Sequence, residues 1–191
     1  TTLLAAARAA VPGGAWAASG AGPETDAVTL GFIALTDSSP LIIAQEKGFF
    51  AKHGLTKAQV LKQASWGTTR DNLELGSANG GIDGAHILTP MPYLIATGKI
   101  TKNKAPLPMY ILARLNTNGQ AISVGKRYAD LGVGLNAAPL KDAMAKVKLS
   151  GGDPKFAMTF PGGTHDLWIR YWAAAGGIDP DGDISTITVP P

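Results

Sequence analysis

The stretch KFAMTFPGGTHDLWIRYWAAAGGIDPDGDISTITVP, residues 155–190, contains the pattern that decides the fold. A short apolar run at 155–160 precedes a helix pattern at 163–177, and a run rich in β-branched residues follows at 184–190. Strands that alternate with helices form parallel sheets, because the helix returns the chain to the end at which the first strand began. The sequence therefore predicts a β-α-β unit at 155–190.

The same alternation extends upstream. Four more apolar runs predict strands, at 27–35, 58–65, 81–88 and 107–115. Further helices are predicted after Ser38 or Ser39, with Pro40 in the first turn and Gly48 at the end, and at 66–80, 89–98 and 137–148. The pattern indicates an α/β protein whose parallel sheets are covered on both faces.

The polar segment NTNGQ at 116–120 divides the alternation into two parts. We expect a first α/β lobe at 28–118 and a partial second lobe at 119–191. Only about three strands follow Gly119, fewer than a typical sheet contains. We therefore expect the second lobe to be incomplete, with the sequence a fragment of a longer protein.

Residues 1–27 differ from the rest of the chain. They are rich in Ala and Gly, start without Met and contain one basic residue, Arg8. An apolar stretch followed by small residues is typical of a secretory signal, and the alternative is a disordered leader. The pattern favours an exported, periplasmic or cell-envelope protein. Elsewhere no apolar run reaches the roughly 18 residues of a membrane span.

The composition narrows the class of function. The chain has 191 residues, 45% of them hydrophobic and 16% charged, with a net charge of +3. Such a mild charge, without a basic cluster interleaved with aromatics, argues against nucleic-acid binding. Cysteine is absent, and the three histidines lack metal-ligand spacing. The sequence predicts no metal site, no cofactor and, since no catalytic motif occurs, no enzyme.

The first candidate binding segment is SWGTTRDN, after the second predicted strand. Trp66 offers an indole N–H, and Gly67 and Thr68 would begin a helix whose free amides attract anions. The alternative is a tryptophan packed over a turn with threonine capping the helix.

The second candidate is GGTHDLW, where His165 occupies the first turn of a helix that Gly163 would cap. The imidazole is either a ligand contact or an ordinary surface histidine. With Asp166 beside it, an acid–base pair is the alternative enzyme hypothesis. Residues at helical spacing after His165 predict the core face of this helix; they are Leu167, Trp168, Tyr171, Trp172 and Ala175.

Two polar loop positions complete the candidates. Gln120 lies where the chain crosses between the lobes, and its uncharged amide can donate to an anion. Asp83 and His86 lie near a predicted strand end, three residues apart and so on opposite faces. We expect Asp83 to be a structural loop residue and His86 to be partly buried.

Four blocks together resemble one known family. They are VTLGFIALTDSSPLIIAQEKGFFAKHGL, QASWGTTRDNLELG, GGIDGAHILTPMPYL and FPGGTHDLWIRYWAAAGGIDPDGDI. These blocks closely resemble the nitrate- and bicarbonate-binding proteins of ABC importers, over about residues 27–191. The resemblance implies a periplasmic-binding-protein-like fold of type II, with two α/β lobes around a cleft that holds a small oxyanion. Proteins of this family continue well beyond the position of Pro191.

Carried over residue by residue, the resemblance implies a set of ligand-contacting positions. They are Trp66, Gly67, Thr68, Gln120, His165 and Pro190 or Pro191, the prolines forming part of the cleft wall. The implied function is the solute-binding component of a nitrate importer. A bicarbonate-binding homologue, a nitrite or cyanate binder and a cytoplasmic nitrate sensor are the alternatives. The implied partners are the ligand and an ABC permease, with a monomer held peripherally at the membrane through the permease or a lipid anchor.

Overall fold

The first sheet is built by three parallel strands in the order β2-β1-β3. The structure is a computed structural model that describes residues 22–117 and 119–190. Strand β1 spans Ala27–Phe32, β2 spans Lys57–Lys62 and β3 spans Gly84–Ala85. Strand β1 pairs in parallel with both of its neighbours. Its pairing with β2 begins with Ala27 opposite Lys57. The predicted leader, apart from residues 22–27, and Pro191 lie outside the described residues.

The helices of this part begin and end largely where the sequence predicts. Helix α1 spans Ser39–Glu46 with Pro40 in its first turn, and α2 spans Phe49–Lys52. Gly48 separates them with a φ of 69°, a left-handed conformation that favours glycine. Helix α3 spans Trp66–Leu75 and α4 spans Pro90–Ala96. Short 3-10 turns lie at Thr36–Ser38 and Ser77–Asn79.

The second sheet confirms the β-α-β unit at the end of the chain. Strand β4 spans Lys155–Met158 and pairs in parallel with β5, Ser185–Thr188. Helix α6, Thr164–Ala175, connects them, and α5, Lys141–Leu149, precedes them. Two 3-10 turns, Lys126–Leu131 and Ala138–Leu140, lie before α5. Across 22–117 and 119–190, no helix is long and apolar enough to cross a membrane.

One strand prediction was too long and another was wrong. The run at 81–88 contributes only the two residues of β3. The run at 107–115 is not a strand, since no strand of the described chain pairs with it. The amide of Leu107 donates instead to the carbonyl of Ile95 in α4, and Leu112 is 92% exposed. Composition indicates strand tendency, but a strand also needs a neighbour to accept its hydrogen bonds.

Buried side chains form two clusters. The first packs around the first sheet and comprises Ile33, Trp66, Leu73, Ile82, Met91, Ile95 and Phe160. The second packs around the second sheet and comprises Ala137, Leu140, Met144, Met158, Ile169, Ala173, Ile178 and Ile184. Phe160 follows β4 of the second sheet yet belongs to the first cluster, so the two clusters approach each other at the end of β4. The lobe boundaries at 28–118 and 119–191 stay a prediction.

The predicted core face of α6 was wrong. Its proposed members are mostly exposed, with Trp168 at 57% and Tyr171 at 73%. The buried residues of α6 are Asp166, Ile169 and Ala173. Aliphatic and aromatic residues lie on two sides of this helix, so periodicity could not choose between them. Just after α6 the chain packs closely on the preceding 3-10 turn, since a Cβ on Gly176 would lie 2.6 Å from the backbone nitrogen of Ala138.

Candidate functional site

A cavity of about 330 Å³ lies where both sheets end. Its wall includes the start of α3 and the residues that follow β4 and end β5, namely Ser65, Trp66, Gly67, Thr159, Phe160, Pro161, Thr188, Val189 and Pro190. In α/β proteins with parallel sheets, ligands bind beyond the carboxyl ends of the strands, where helices also begin. The position therefore makes this cavity the candidate binding site.

The start of α3 presents backbone amides to the cavity. Ser65, in extended conformation, caps the helix, and its Oγ accepts the N–H of Thr68 at 3.0 Å. The Thr68 hydroxyl lies 3.0 Å from the same Oγ, so Thr68 belongs to the cap. At Gly67 a Cβ would meet only the Ser65 Oγ, at 3.7 Å. A ligand can consequently approach the backbone of this first turn, where helix amides lack internal partners.

Trp66 combines two properties that the sequence analysis treated as alternatives. Its ring is 1% exposed and packs in the first cluster, as expected of a core tryptophan. Its Nε1, however, is buried without a hydrogen-bond partner within the described part of the chain. The Nε1 of Trp172, by contrast, donates to the carbonyl of Gly134 at 3.1 Å. Since buried polar atoms nearly always have a partner, the unpaired Nε1 of Trp66, a residue of the cavity wall, requires an explanation.

The start of α6 lies close to the same cavity and has a different cap. Gly163 is the N-cap, as predicted, and offers no side chain. Asp166 accepts the N–H of Gly162 at 2.8 Å with one oxygen and the Nε of Arg170 at 2.9 Å with the other. Because both carboxylate oxygens hold the turn together, Asp166 is structural. This arrangement argues against its acting as a base beside His165.

His165 is tied to the end of β4. Its Nδ1 lies 2.8 Å from the hydroxyl of Thr159, a residue of the cavity wall. Burial lowers the pKa of His165 below its ordinary value of 6.5, and the negative charge of Asp37 partly opposes this effect. The imidazole is therefore mainly uncharged at neutral pH, when it has one N–H to donate and one nitrogen to accept.

The remaining predicted site residues differ in how near they lie to the cavity, and Gln120 hydrogen-bonds to Thr164, which is not a wall residue. The Nε2 of Gln120 donates to the hydroxyl of Thr164 at 2.6 Å, which brings the crossing segment to the start of α6. Trp66 and Gly67 line the cavity directly, whereas His165 connects to it through Thr159. Pro190 is part of the wall. The ligand contacts assigned to these residues stay predictions.

Sequence reasoning missed several wall residues. They are Ser65, Thr159, Phe160, Pro161, Thr188 and Val189. A usable signal existed, since Thr159 and Val189 lie near the carboxyl ends of strands predicted from the apolar pattern, where ligands of α/β proteins bind. The guanidinium of Arg70 lies 5.8 Å from the ring centre of Phe160.

A second polar group lies near the first sheet. The Oδ2 of Asp37 is 3.7 Å from the Nε2 of His86, and Asn116 donates to the carbonyl of Asp37 at 2.6 Å. His86 is 8% exposed, more buried than expected. Asp83 accepts the N–H of Thr29 at 2.8 Å, which confirms its structural role. Within the ranges that the structure covers, no three acidic or histidine side chains are placed to hold a metal ion.

Parallel sheets and a cavity at their carboxyl ends define an α/β protein of the periplasmic-binding-protein-like class. The model of the NMT1-like family matches residues 21–191. The chain belongs to this family.

Individual relatives agree with this assignment. The chain is 70% identical over 169 residues to the nitrate/nitrite binding protein NrtA of Synechocystis sp., a match covering 88% of this chain and 37% of the relative. It is 49% identical over 168 residues to the bicarbonate-binding protein CmpA of Synechococcus elongatus, covering 87% and 37%. The crystal structure of the periplasmic nitrate-binding protein NrtA from Synechocystis superposes with a TM-score of 0.84 at 69% identity, covering 90% of this chain and 43% of that one. The chain thus spans less than half the length of these relatives.

Proposed function

We propose that this chain belongs to a solute-binding protein that captures nitrate for an ABC importer, with the cavity as part of the binding cleft. The observation that carries this proposal is that Trp66, a residue of the cavity wall, has a buried Nε1–H without a partner in the described part of the chain. Leaving a buried donor unpaired costs about 1–3 kcal/mol. An oxygen atom of a bound anion would accept this hydrogen bond and remove the cost.

The surroundings of the indole suit a small planar oxyanion. Helix α3 points its N-terminus, with the open backbone at Gly67, toward the cavity, and helix N-termini attract negative charge. His165 and Gln120 add donors that are uncharged at neutral pH. Capturing a monovalent anion with neutral donors avoids burying a cation, which would cost desolvation energy of its own.

The relatives support the same ligand class and location. One is named a nitrate/nitrite binding protein, and the solved one is described as periplasmic. We accordingly place this chain in the periplasm, as a binding protein without catalytic activity that delivers its ligand to a membrane permease. Bicarbonate is the second candidate ligand, because a bicarbonate-binding relative is 49% identical over nearly the same stretch.

The test is a calorimetric titration of the protein with nitrate and, side by side, with bicarbonate. We expect nitrate to bind more tightly. Trp66→Phe keeps an aromatic ring, although a smaller one, and removes the N–H; it should weaken nitrate binding by about 1–3 kcal/mol, roughly 5- to 150-fold. Tighter binding of bicarbonate would favour the second candidate, and no binding of either anion to the wild type would overturn the proposal.

Trp168→Phe is the matched control, because Trp168 is an exposed tryptophan on α6 and is absent from the cavity wall. We expect its nitrate affinity to stay within about twofold of wild type. Unfolding in urea should be measured on both variants, so that an affinity loss in Trp66→Phe is compared at equal folded fraction. Unchanged affinity in Trp66→Phe would remove the indole from the site.

A further inference from the structure

Thr159 is the wall residue that contacts His165. It directly follows β4, and its Oγ1 lies 2.8 Å from the imidazole Nδ1. The turn between them is short and held by the backbone, with the N–H of Gly163 donating to the carbonyl of Phe160 at 2.9 Å. The hydroxyl and the imidazole are thus held together by the connection between β4 and α6.

This contact links the tautomer of His165 to the direction of the hydrogen bond that the Thr159 hydroxyl makes. A hydroxyl can donate or accept, whereas a neutral imidazole donates from one nitrogen and accepts at the other. If the Thr159 hydroxyl donates to Nδ1, the proton of the neutral ring must be on Nε2. Only in that tautomer can the neutral ring offer an N–H at Nε2.

We propose that Thr159 is a positioning residue for anion binding: its hydroxyl donates to Nδ1 of His165 and holds the imidazole in the tautomer that donates from Nε2 to the bound oxyanion. This inference rests on the function proposed above. The opposite tautomer would direct a lone pair of Nε2 toward a negatively charged ligand, which is unfavourable. Thr159 lines the cavity itself, and through its contact with Nδ1 it sets the sign of the interaction between His165 and the ligand.

The charges around the imidazole make tautomer selection necessary at neutral pH. Burial favours the uncharged ring, and so lowers the pKa of His165, although Asp37 partly opposes this effect. Asp37 lies on the side of the first sheet, 3.7 Å from the Nε2 of His86. On α6 itself, Asp166 is paired with Arg170, which also donates to Asp181 at 2.7 Å. A doubly protonated ring would donate from both nitrogens and would not need Thr159.

The decisive variant is Thr159→Val, which keeps the shape and removes the hydroxyl. At pH 8 it should bind nitrate about 5- to 10-fold more weakly than wild type, the size expected for one hydrogen bond. Thr159→Ser retains the hydroxyl and should restore most of the affinity. As the pH falls through the titration of His165, the deficit of Thr159→Val should shrink, because the imidazolium has an N–H on both nitrogens.

Nitrogen-15 NMR of the imidazole gives a readout that a structural role would not change. In the wild type we expect the Nε2–H tautomer, with and without nitrate, and in Thr159→Val a mixture of both. Thr188→Val is the matched control, since Thr188 lines the same cavity but its hydroxyl contacts the sulfur of Met158. It should leave the tautomer of His165 unchanged.

Three results would overturn the inference: a wild-type spectrum with the proton on Nδ1, equal nitrate affinity of Thr159→Val and wild type at pH 8, or a deficit that stays constant with pH. Failure of the proposed function has a different signature, because the wild type itself would then not bind nitrate. In that case the spectrum of the ligand-free protein still decides whether Thr159 selects the tautomer.

Discussion

Helices α3 and α6 both begin near the same cavity, yet their first turns are built differently. The start of α3 is capped by the Ser65 side chain and buries Trp66 in the core. The start of α6 has Gly163 as its cap and places the half-buried, titratable His165 in the first turn. A larger residue would be crowded at position 163, since a Cβ there would lie 3.0 Å from the carbonyl oxygen of Phe160.

The first turns of α3 and α6 offer two different kinds of hydrogen-bond donor. The indole N–H of Trp66 has the same charge and direction at every physiological pH, because packing fixes the ring and the group does not titrate. The donor at His165 depends on which nitrogen is protonated and on the hydroxyl of Thr159. Under the function proposed above, α3 would supply a constant contribution to anion binding, whereas the contribution of α6 would respond to pH and to its neighbours.

The largest loss of stability should come from breaking the turn that begins α6. Asp166→Ala removes the acceptor of the Gly162 N–H and also the acceptor of the Arg170 Nε. We expect the free energy of unfolding to fall by about 2–4 kcal/mol, measured by urea denaturation. Asp166→Asn should lose less, because its side-chain oxygen can still accept one of the two bonds.

Asp142→Ala is the control for this change. Asp142 is an exposed acid in the first turn of α5, so its removal should cost only the interaction with the helix dipole, about 0.3–1 kcal/mol. If Asp166→Ala were no more destabilising than Asp142→Ala, the turn would not depend on the carboxylate.

A smaller effect is expected at the start of α3. Ser65→Ala deletes the oxygen that accepts the Thr68 N–H, and loss of such a cap costs about 1 kcal/mol of stability. Thermal or urea unfolding measures the change. Ser150→Ala, at the C-terminal end of α5, removes an exposed hydroxyl that donates to Val147 and should cost less. Equal losses in the two variants would mean that the cap contributes nothing specific to α3.

The smallest effect is a pH dependence of stability at His165. Burial lowers the pKa of His165 in the folded protein, so the unfolded chain binds more protons between that pKa and the ordinary value of 6.5. The free energy of unfolding should therefore rise with pH through this interval and become independent of His165 above it. His165→Gln should remove this part of the slope.

Urea titrations of both proteins from pH 5 to pH 9 measure the difference. The measurements at the alkaline end act as an internal control, because the imidazole is neutral there in both the folded and the unfolded state. Parallel curves over the whole range would show that folding leaves the pKa of His165 unchanged.

Local patterns predicted much of the fold. The β-α-β unit at 155–190, the cap at Gly163 and the helix starting at Trp66 follow from nearest-neighbour chemistry, and the structure confirms them. The candidate residues were found for a related reason, since a helix start after a strand places amides and side chains at one sheet end.

Other features depended on partners distant in sequence. The run at 107–115 has strand composition but finds no neighbouring strand within the described chain. Phe160 joins the cluster of the first sheet although it follows a strand of the second. The contact between Thr159 and His165 joins residues close in sequence, but it depends on the geometry of the turn that connects β4 to α6.

The sequence by itself determined the order of strands and helices, the parallel arrangement and the residue types available at each helix start, because these depend on periodicity, capping and turn chemistry along a few residues. Only the tertiary structure decided which face of α6 is buried, that the Trp66 N–H is left without a partner and that Thr159 meets His165. Those outcomes depend on packing and hydrogen-bond geometry between segments, which sequence spacing does not specify.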